Sequence, residues 1–147
     1  MLIRMKTSLA LDDAQICAVP NVAWTAVRAG HKVTILMDAS AVTSVTKGFG
    51  WFRKLTGGGT SLGRASLPER ERQSLSGQMG VPLEQVPHNY GEYFDFLKSK
   101  LGVDICVNQT MLLLYKIDPA RVPLPSRRFR WPSKMVDLFT SVERVMV

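Results

Sequence analysis

The sequence predicts an α/β fold, which is a single-domain, three-layer sandwich with a mostly parallel sheet of about five strands and a long irregular insertion. Strand-like and helix-like segments alternate along the chain, as they do where helices cover a parallel sheet. Residues 31–38 are nearly continuously apolar at their centre, which is typical of strands covered on both faces. The chain has 147 residues, of which 46% are hydrophobic, and this suits one domain with its own core. We therefore treat residues 1–147 as one domain, with the insertion at approximately 47–88.

The first part of the chain predicts a strand, a helix and a second strand. Residues 2–9 alternate apolar and polar side chains, which favours a strand. Residues 11–21 contain two acids and a proline, and we interpret them as a break in the strand pattern. Residues 20–29 predict a helix that begins at Pro20, whose missing N–H would be unpaired in a first turn. Gly30 then provides a left-handed stop before the strand at 31–38.

The pattern becomes irregular in the insertion. Three consecutive glycines predict a flexible loop around 56–63. Residues 68–79 predict a short helix with Pro68 at its start. Trp51 and Phe52 are candidates for an apolar plug at a subunit interface.

Regular periodicity returns in the second half of the chain. Apolar residues at helical spacing predict a helix over 90–101, with Gly102 as its stop. The remaining segments are a buried strand (103–108), a helix (109–117), an extended proline-rich loop (118–132), a short helix (133–142) and a last strand (143–147).

The carboxyl ends of parallel strands are where ligands and reactive groups gather in such sheets. This rule selects residues 8–13, 38–43 and 106–110. In the last of these, Cys106 ends a strand just before a predicted helix, where the free N–H groups of the helix lower the pKa of a thiol. The side chains of Asn108, Gln109 and Thr110 could hydrogen-bond the sulfur or whatever it carries.

Each candidate also has a structural interpretation. Free cysteine is among the most buried residue types, so Cys106 could simply fill a central strand. Cys17 could be a second relay thiol or a core residue beside apolar neighbours. Asp38 could orient a ligand or cap the turn that follows it. His31 is predicted at the surface, and His88 precedes a helix without forming a convincing pair with either cysteine.

Metals and cofactors have no sequence signal. Two histidines and two cysteines give no zinc spacing, and the run GGGTSLG (57–63) lacks the pattern of a phosphate-binding loop. We therefore predict no metal and no cofactor. No apolar run reaches the roughly 18 residues of a membrane span. Since the N-terminus also lacks a signal-peptide pattern, we predict a cytoplasmic protein.

The net charge of +7 is concentrated in two segments. Residues 47–72 hold six basic and two acidic side chains, and residues 121–134 hold five basic side chains and no acidic one. Such patches attract phosphates, acidic proteins or anionic headgroups. The run SRRFRW (126–131) interleaves basic and aromatic residues, as single-stranded nucleic-acid sites do. We favour a solvated loop there and do not predict a nucleic-acid partner, because no nucleic-acid module accompanies the run.

Three stretches carry a resemblance to a known family. They are the first strand with its DD loop and the following AVRAGHKVTILMDASAV (26–42), LGVDICVNQTMLLLYKI (101–117) and MVDLFTSVERVMV (135–147). Together they cover about half of the chain, and in this arrangement the chain resembles the DsrE/F-like family of small sulfur-relay proteins. The connection at 47–88 is longer and more basic than is typical of that family.

The resemblance implies a small parallel α/β layer that assembles as a trimer or hexamer. It also implies that Cys106 carries sulfur as a persulfide, taking it from a donor protein and passing it to an acceptor protein without a cofactor. The alternative is a non-catalytic binding or assembly protein. Such a protein would use its sheet-edge pocket or its basic loops to bind a protein, a nucleotide or RNA.

Overall fold

The centre of the fold is a parallel β-sheet. A computed structural model describes residues 1–9, 11, 13–47, 59–122, 127–129, 132–141 and 145–146. Its three central strands are β1 (Leu2–Met5), β2 (Thr34–Met37) and β3 (Asp104–Asn108). β2 lies between the other two and pairs with both in parallel. The α/β class and the parallel sheet are therefore confirmed.

Two short strands flank this centre. β4 (Arg127–Phe129) pairs with β3, and β5 (Val145–Met146) pairs with β1, both in parallel. The strand order is β4-β3-β2-β1-β5. The prediction of a loop throughout 118–132 is wrong at β4. No proline falls inside that strand, so its backbone N–H groups are available for a ladder with β3.

Six α-helices are present among the described residues. They are α1 (Asp13–Arg28), α2 (Ser61–Arg64), α3 (Glu69–Met79), α4 (Tyr90–Leu101), α5 (Gln109–Leu114) and α6 (Pro132–Thr140). Short 3₁₀ helices occur at Ala39–Thr43, Leu83–Gln85 and Pro119–Arg121. None of these helices is both long and apolar enough to cross a membrane.

Helix α1 is longer than predicted and contains Pro20 in its interior. The predicted start at Pro20 is wrong because the apolar stripe runs through it. The buried residues that form this stripe are Ile16, Val19, Ala23 and Ala26. A proline removes one helical hydrogen bond, whereas the stripe anchors the helix along its whole length. The predicted stop is confirmed, since Gly30 has φ +85° and His31 N donates to Ala26 O.

The insertion is more ordered than predicted. Helix α3 confirms the predicted helix after Pro68. The loop predicted around 56–63 is wrong over 61–63, which belong to α2. Thr60 caps α2, because its Oγ1 accepts a hydrogen bond from Gly63 N at 3.0 Å. Trp51 and Phe52, with the first part of the predicted loop, lie outside the described residues.

A partly buried polar network fastens the polar helix α3 to its neighbours. The carboxylate of Glu71 accepts hydrogen bonds from Asn21 Nδ2 of α1 at 2.7 Å and from Tyr90 Oη of α4 at 3.0 Å. Tyr93 Oη donates to Asn21 Oδ1 at 3.0 Å. Burial and the nearby Glu71 charge both raise the pKa of Tyr93. These bonds hold α3 in place, although Leu75 is its only buried apolar residue among those described.

The two faces of the sheet differ in how they are covered. Alternate residues of a strand point to opposite faces. The first face contributes Ile3, Met5, Ile35, Met37, Ile105 and Val107 to a large core with α1 and α4. On the opposite face, the residues that the structure describes form a cluster of Leu2, Leu36, Cys106 and Leu138, with Phe139 packed against it. Cys106 therefore lies beneath α6, away from the main core.

Candidate functional site

The carboxyl edge of the sheet brings two predicted site residues into contact. Asn108 Nδ2 donates a hydrogen bond to Asp38 Oδ1 at 2.9 Å, and both side chains are buried. Asn108 Oδ1 in turn accepts from Thr110 N at 3.0 Å and caps α5. The loops after β2 and β3 thus meet at this edge, as the sequence predicted. Their polar groups bind each other.

Asp38 is an internal anchor. Its Oδ2 accepts a hydrogen bond from Arg4 Nε at 2.7 Å and forms an ion pair with Arg4 Nη2 at 2.5 Å. Its Oδ1 also accepts from Ala39 N at 2.8 Å, which caps the 3₁₀ helix. Ala39 has φ +45°, an uncommon conformation for a residue with a Cβ. Of the two interpretations open from the sequence, the structure supports capping.

Gln109 and Thr110, the other two predicted binding residues after β3, are the first two residues of α5. Gln109 is half-buried and Thr110 is exposed at the start of α5. Neither side chain lines the cavity described below.

The Cys106 thiol is fully buried, with no exposed surface. Desolvation raises its pKa to about 12. The expectation of a lowered pKa at this position is therefore wrong. α5 begins three residues later, at Gln109, and the side chain of Cys106 lies in the apolar cluster beneath α6.

The second thiol lies on the other side of the sheet. Cys17 of α1 is half-buried and packs against the main core. The two cysteines therefore lie on opposite faces, which contradicts direct sulfur transfer between them within one chain. His31 and His88 are exposed, as predicted for His31.

The Cys106 thiol is expected to make the protein less stable at alkaline pH. Its pKa is 9.0 when unperturbed and about 12 in the fold. Between these values the unfolded chain releases a proton that the folded chain retains, so the free energy of unfolding falls as the pH rises. The slope cannot exceed about 1.4 kcal/mol per pH unit. Urea titrations of Cys106→Ala should therefore show a weaker loss of stability above pH 9 than the parent protein. Parallel pH profiles would contradict this.

A cavity of about 350 Å³ opens between residues that follow the carboxyl ends of β1 and β2 and residues of α2. We call it the sheet-edge cavity. The residues that line it are Ser8, Leu9, Thr43, Ser44, Ser61 and Arg64. Its volume lies in the range of small-molecule sites, roughly 300–1,000 Å³.

Hydrogen bonds tie three chain segments together around this cavity. Leu9 N donates to Ser44 Oγ at 2.9 Å, which joins the loop after β1 to the turn after β2. Leu62 N donates to Ser44 O at 3.2 Å, which joins α2 to the same turn. The sequence placed Ser8 and Thr43 at this edge. It missed Ser44, Ser61 and Arg64, and the run TSLGR (60–64) after the glycines was a weak signal for the last two of these.

The lining of the cavity offers hydrogen-bond donors. Ser44 Oγ already accepts from Leu9 N, and Ser61 Oγ already accepts from Arg64 Nη2 at 3.3 Å. Neither hydroxyl donates to another residue in the part of the chain that the structure describes, so each can donate to a ligand. Arg64 adds a positive charge, held by a hydrogen bond from its Nη1 to Gly59 O at 2.9 Å. The lining residues that are described include no acidic side chain.

The described ranges contain no group of three or more His, Cys, Asp or Glu side chains that could hold a metal ion. No family model and no curated protein matches the chain.

Proposed function

We propose that the protein binds a small anionic molecule in the sheet-edge cavity, as a non-catalytic binding protein. The observation that carries this proposal is the lining. Four hydroxyl side chains and the Arg64 guanidinium surround a cavity at the ligand-binding edge of a parallel sheet. A phosphate or carboxylate group would accept the hydrogen bonds that Ser44 and Ser61 have left to donate.

Charge complementarity supports an anion over a neutral ligand. Hydrogen bonds between a guanidinium and a phosphate or carboxylate are roughly twice as strong as those between neutral groups. Arg64 is exposed, so water and salt screen its charge. Affinity should therefore fall as ionic strength rises. The buried Ser8 and Ser44 provide the part of the site that salt does not weaken.

Titration calorimetry with inorganic phosphate and with adenosine monophosphate tests this proposal. Arg64→Gln is expected to weaken binding about tenfold, because a hydrogen bond to a charged group contributes about 1.5 kcal/mol or more. Arg70→Gln is the matched control, since Arg70 is also an exposed arginine but lies on α3 outside the cavity lining. The proposal would be overturned if neither probe binds, or if Arg64→Gln and Arg70→Gln lose the same amount of affinity.

The DsrE/F-like resemblance stays a prediction, with its three-layer sandwich of about five strands and its trimeric or hexameric assembly. The cavity is compatible with that family assignment but does not depend on it. Sulfur relay on Cys106 is the second candidate function. It is favoured by the position of Cys106 near the carboxyl end of β3.

Relay chemistry requires Cys106 to become an exposed thiolate. That thiolate would attack the sulfane sulfur of a polysulfide or donor persulfide, gain one sulfur atom, and release the donor as a thiolate. Intact-mass measurement after polysulfide treatment separates the two functions. A transferable one-sulfur adduct that is lost in Cys106→Ala, but kept in Cys17→Ala, would favour relay over simple binding. An adduct that is lost only in Cys17→Ala would count against relay.

A further inference from the structure

The sheet-edge cavity has one wall that carries hydroxyl groups and no charge. Ser8 follows β1 and Thr43 ends the 3₁₀ helix after β2, and both line the cavity. Ser40 holds them near each other, because its Oγ accepts a hydrogen bond from Ser8 N at 3.0 Å and its carbonyl oxygen accepts one from Thr43 Oγ1 at 2.8 Å. We call Ser8 and Thr43 the hydroxyl wall.

The hydroxyl group of Ser8 is buried without a hydrogen bond to the protein. Only 6% of the residue is exposed, and its Oγ bonds to none of the described residues. A buried hydroxyl is normally hydrogen-bonded, because burial without a bond costs free energy. Since Ser8 lines the cavity, a polar group of a bound molecule can pair with this hydroxyl.

The hydroxyl group of Thr43 offers an acceptor. Its proton is donated to Ser40 O, so the lone pairs of Oγ1 remain for a ligand. A fully ionised phosphate or carboxylate carries no proton to donate to Oγ1. A ligand hydroxyl both donates and accepts, so it suits Thr43 and Ser8 alike. The hydroxyl wall therefore matches hydroxyl groups better than it matches an anion.

The positive charge lies on a different wall, which α2 forms. Arg64 Nη2 donates to Ser61 Oγ at 3.3 Å, so the guanidinium and this hydroxyl lie together. The start of α2 is fixed, because Thr60 caps the helix and forms an antiparallel bridge with Lys47. An anionic group is thus expected at α2, with the uncharged part of the ligand at the hydroxyl wall.

Ser44 connects the two walls. Its Oγ accepts from Leu9 N in the loop that carries Ser8, and its carbonyl oxygen accepts from Leu62 N of α2. Ser44 is only 1% exposed and has a hydroxyl proton left to donate, as described above. A single compact ligand can therefore contact both walls and Ser44 between them.

We propose that the cavity selects a phosphate monoester of a small sugar or polyol. This inference rests on the proposed function, because the phosphate is the anion that Arg64 and Ser61 bind. The volume of about 350 Å³ is at the small end of the range for ligand sites, roughly 300–1,000 Å³, which suits a compact molecule.

The lining favours this class over two other classes of anion. Nucleobases are held by stacking on aromatic or apolar side chains, and Leu9 is the only apolar residue among the lining residues that are described. The ammonium group of an amino acid needs acceptors such as a carboxylate, and the same residues include no acid.

Titration calorimetry with ribose 5-phosphate, inorganic phosphate and adenosine monophosphate tests the inference. Ribose 5-phosphate should bind about tenfold more tightly than inorganic phosphate, which corresponds to two neutral hydrogen bonds at the hydroxyl wall. The adenine base should add no affinity. Equal binding of phosphate and ribose 5-phosphate, or adenosine monophosphate that binds more than about tenfold tighter than ribose 5-phosphate, would overturn the inference.

Ser8→Ala shows whether the hydroxyl wall provides this preference. It should reduce the tenfold preference for ribose 5-phosphate to about twofold. The melting temperature should stay the same or rise, because the lost hydroxyl makes no bond to the described residues. Ser66→Ala is the matched control, since Ser66 is exposed and does not line the cavity. It should keep the full preference, and an unchanged preference in Ser8→Ala would contradict the inference.

Arg64→Gln separates this inference from the proposed function. It should weaken both phosphate compounds and keep the ratio of their affinities, because Arg64 lies on the α2 wall. If inorganic phosphate binds but ribose 5-phosphate gains nothing, the inference fails and the proposed function stands. If neither compound binds, both fail.

Discussion

Replacement of Asp38 by alanine is expected to lower the free energy of unfolding by about 3 kcal/mol. Breaking a buried ion pair from one side costs about 3–5 kcal/mol. We expect the lower end because the partner, Arg4, keeps 34% of its side chain exposed and can be solvated. The change also removes the acceptor for Asn108 Nδ2 and the cap on Ala39 N. Urea denaturation of the two proteins at neutral pH measures the difference.

Asp118→Ala provides the matched control. Asp118 also precedes a 3₁₀ helix and caps it by accepting a hydrogen bond from Ala120 N at 2.9 Å. It is exposed and has no ion pair among those described, so its loss should cost about 1 kcal/mol, as for a simple cap. Equal costs at the two positions would mean that the bonds to Arg4 and Asn108 add nothing to stability.

Gly91→Ala is expected to destabilise the fold and weaken anion binding together. A Cβ at Gly91 would lie 2.9 Å from Gly63 Cα and 3.0 Å from Gly63 N. Backbone atoms cannot move aside as a side chain does, so α4 and α2 must separate. Overpacking of this kind costs about 1–3 kcal/mol. Because α2 carries Ser61 and Arg64, the displacement should also reduce phosphate affinity in the sheet-edge cavity.

Gly77→Ala tests whether the close approach is responsible. Gly77 lies inside α3, and nothing comes within 4 Å of a Cβ placed there. Alanine is a better helix former than glycine, so this change should stabilise the protein by about 0.5–1 kcal/mol. Thermal denaturation should therefore shift in opposite directions for the two variants. A loss of stability in both, or a Gly91→Ala protein as stable as its parent, would contradict the packing argument.

Much of the architecture was accessible from the sequence because its signals are local. The apolar run at 31–38 and the periodic stripe at 90–101 each depend on near neighbours, and both elements are confirmed. Errors arose where tertiary contacts decide the outcome. Pro20 lies within a helix because packing on the core outweighs one missing hydrogen bond. β4 forms because β3 supplies a partner strand, which the residues of 118–132 do not reveal.

The candidate site was predictable only in outline. The rule for parallel sheets selected this edge, and Asp38 and Asn108 do meet there. The sequence could not show that these two side chains bind each other, or that Cys106 turns towards an apolar cluster. Arg64 was missed because it reaches the edge through the packing of α2 on α4, a contact between residues far apart in the chain.

The pairing of Lys47 with Thr60 has a consequence for how this chain can vary in length. The bridge brings residues 47 and 60 together and so fixes both ends of the stretch that joins them. The entropy of closing such a stretch grows only slowly, by about 0.6 kcal/mol for each doubling of its length. Additional residues, or an inserted reporter peptide, can therefore be accommodated there while the sheet keeps its register. The pairing is therefore an attachment point for new sequence, and it lies next in the chain to Ser61 of the sheet-edge cavity.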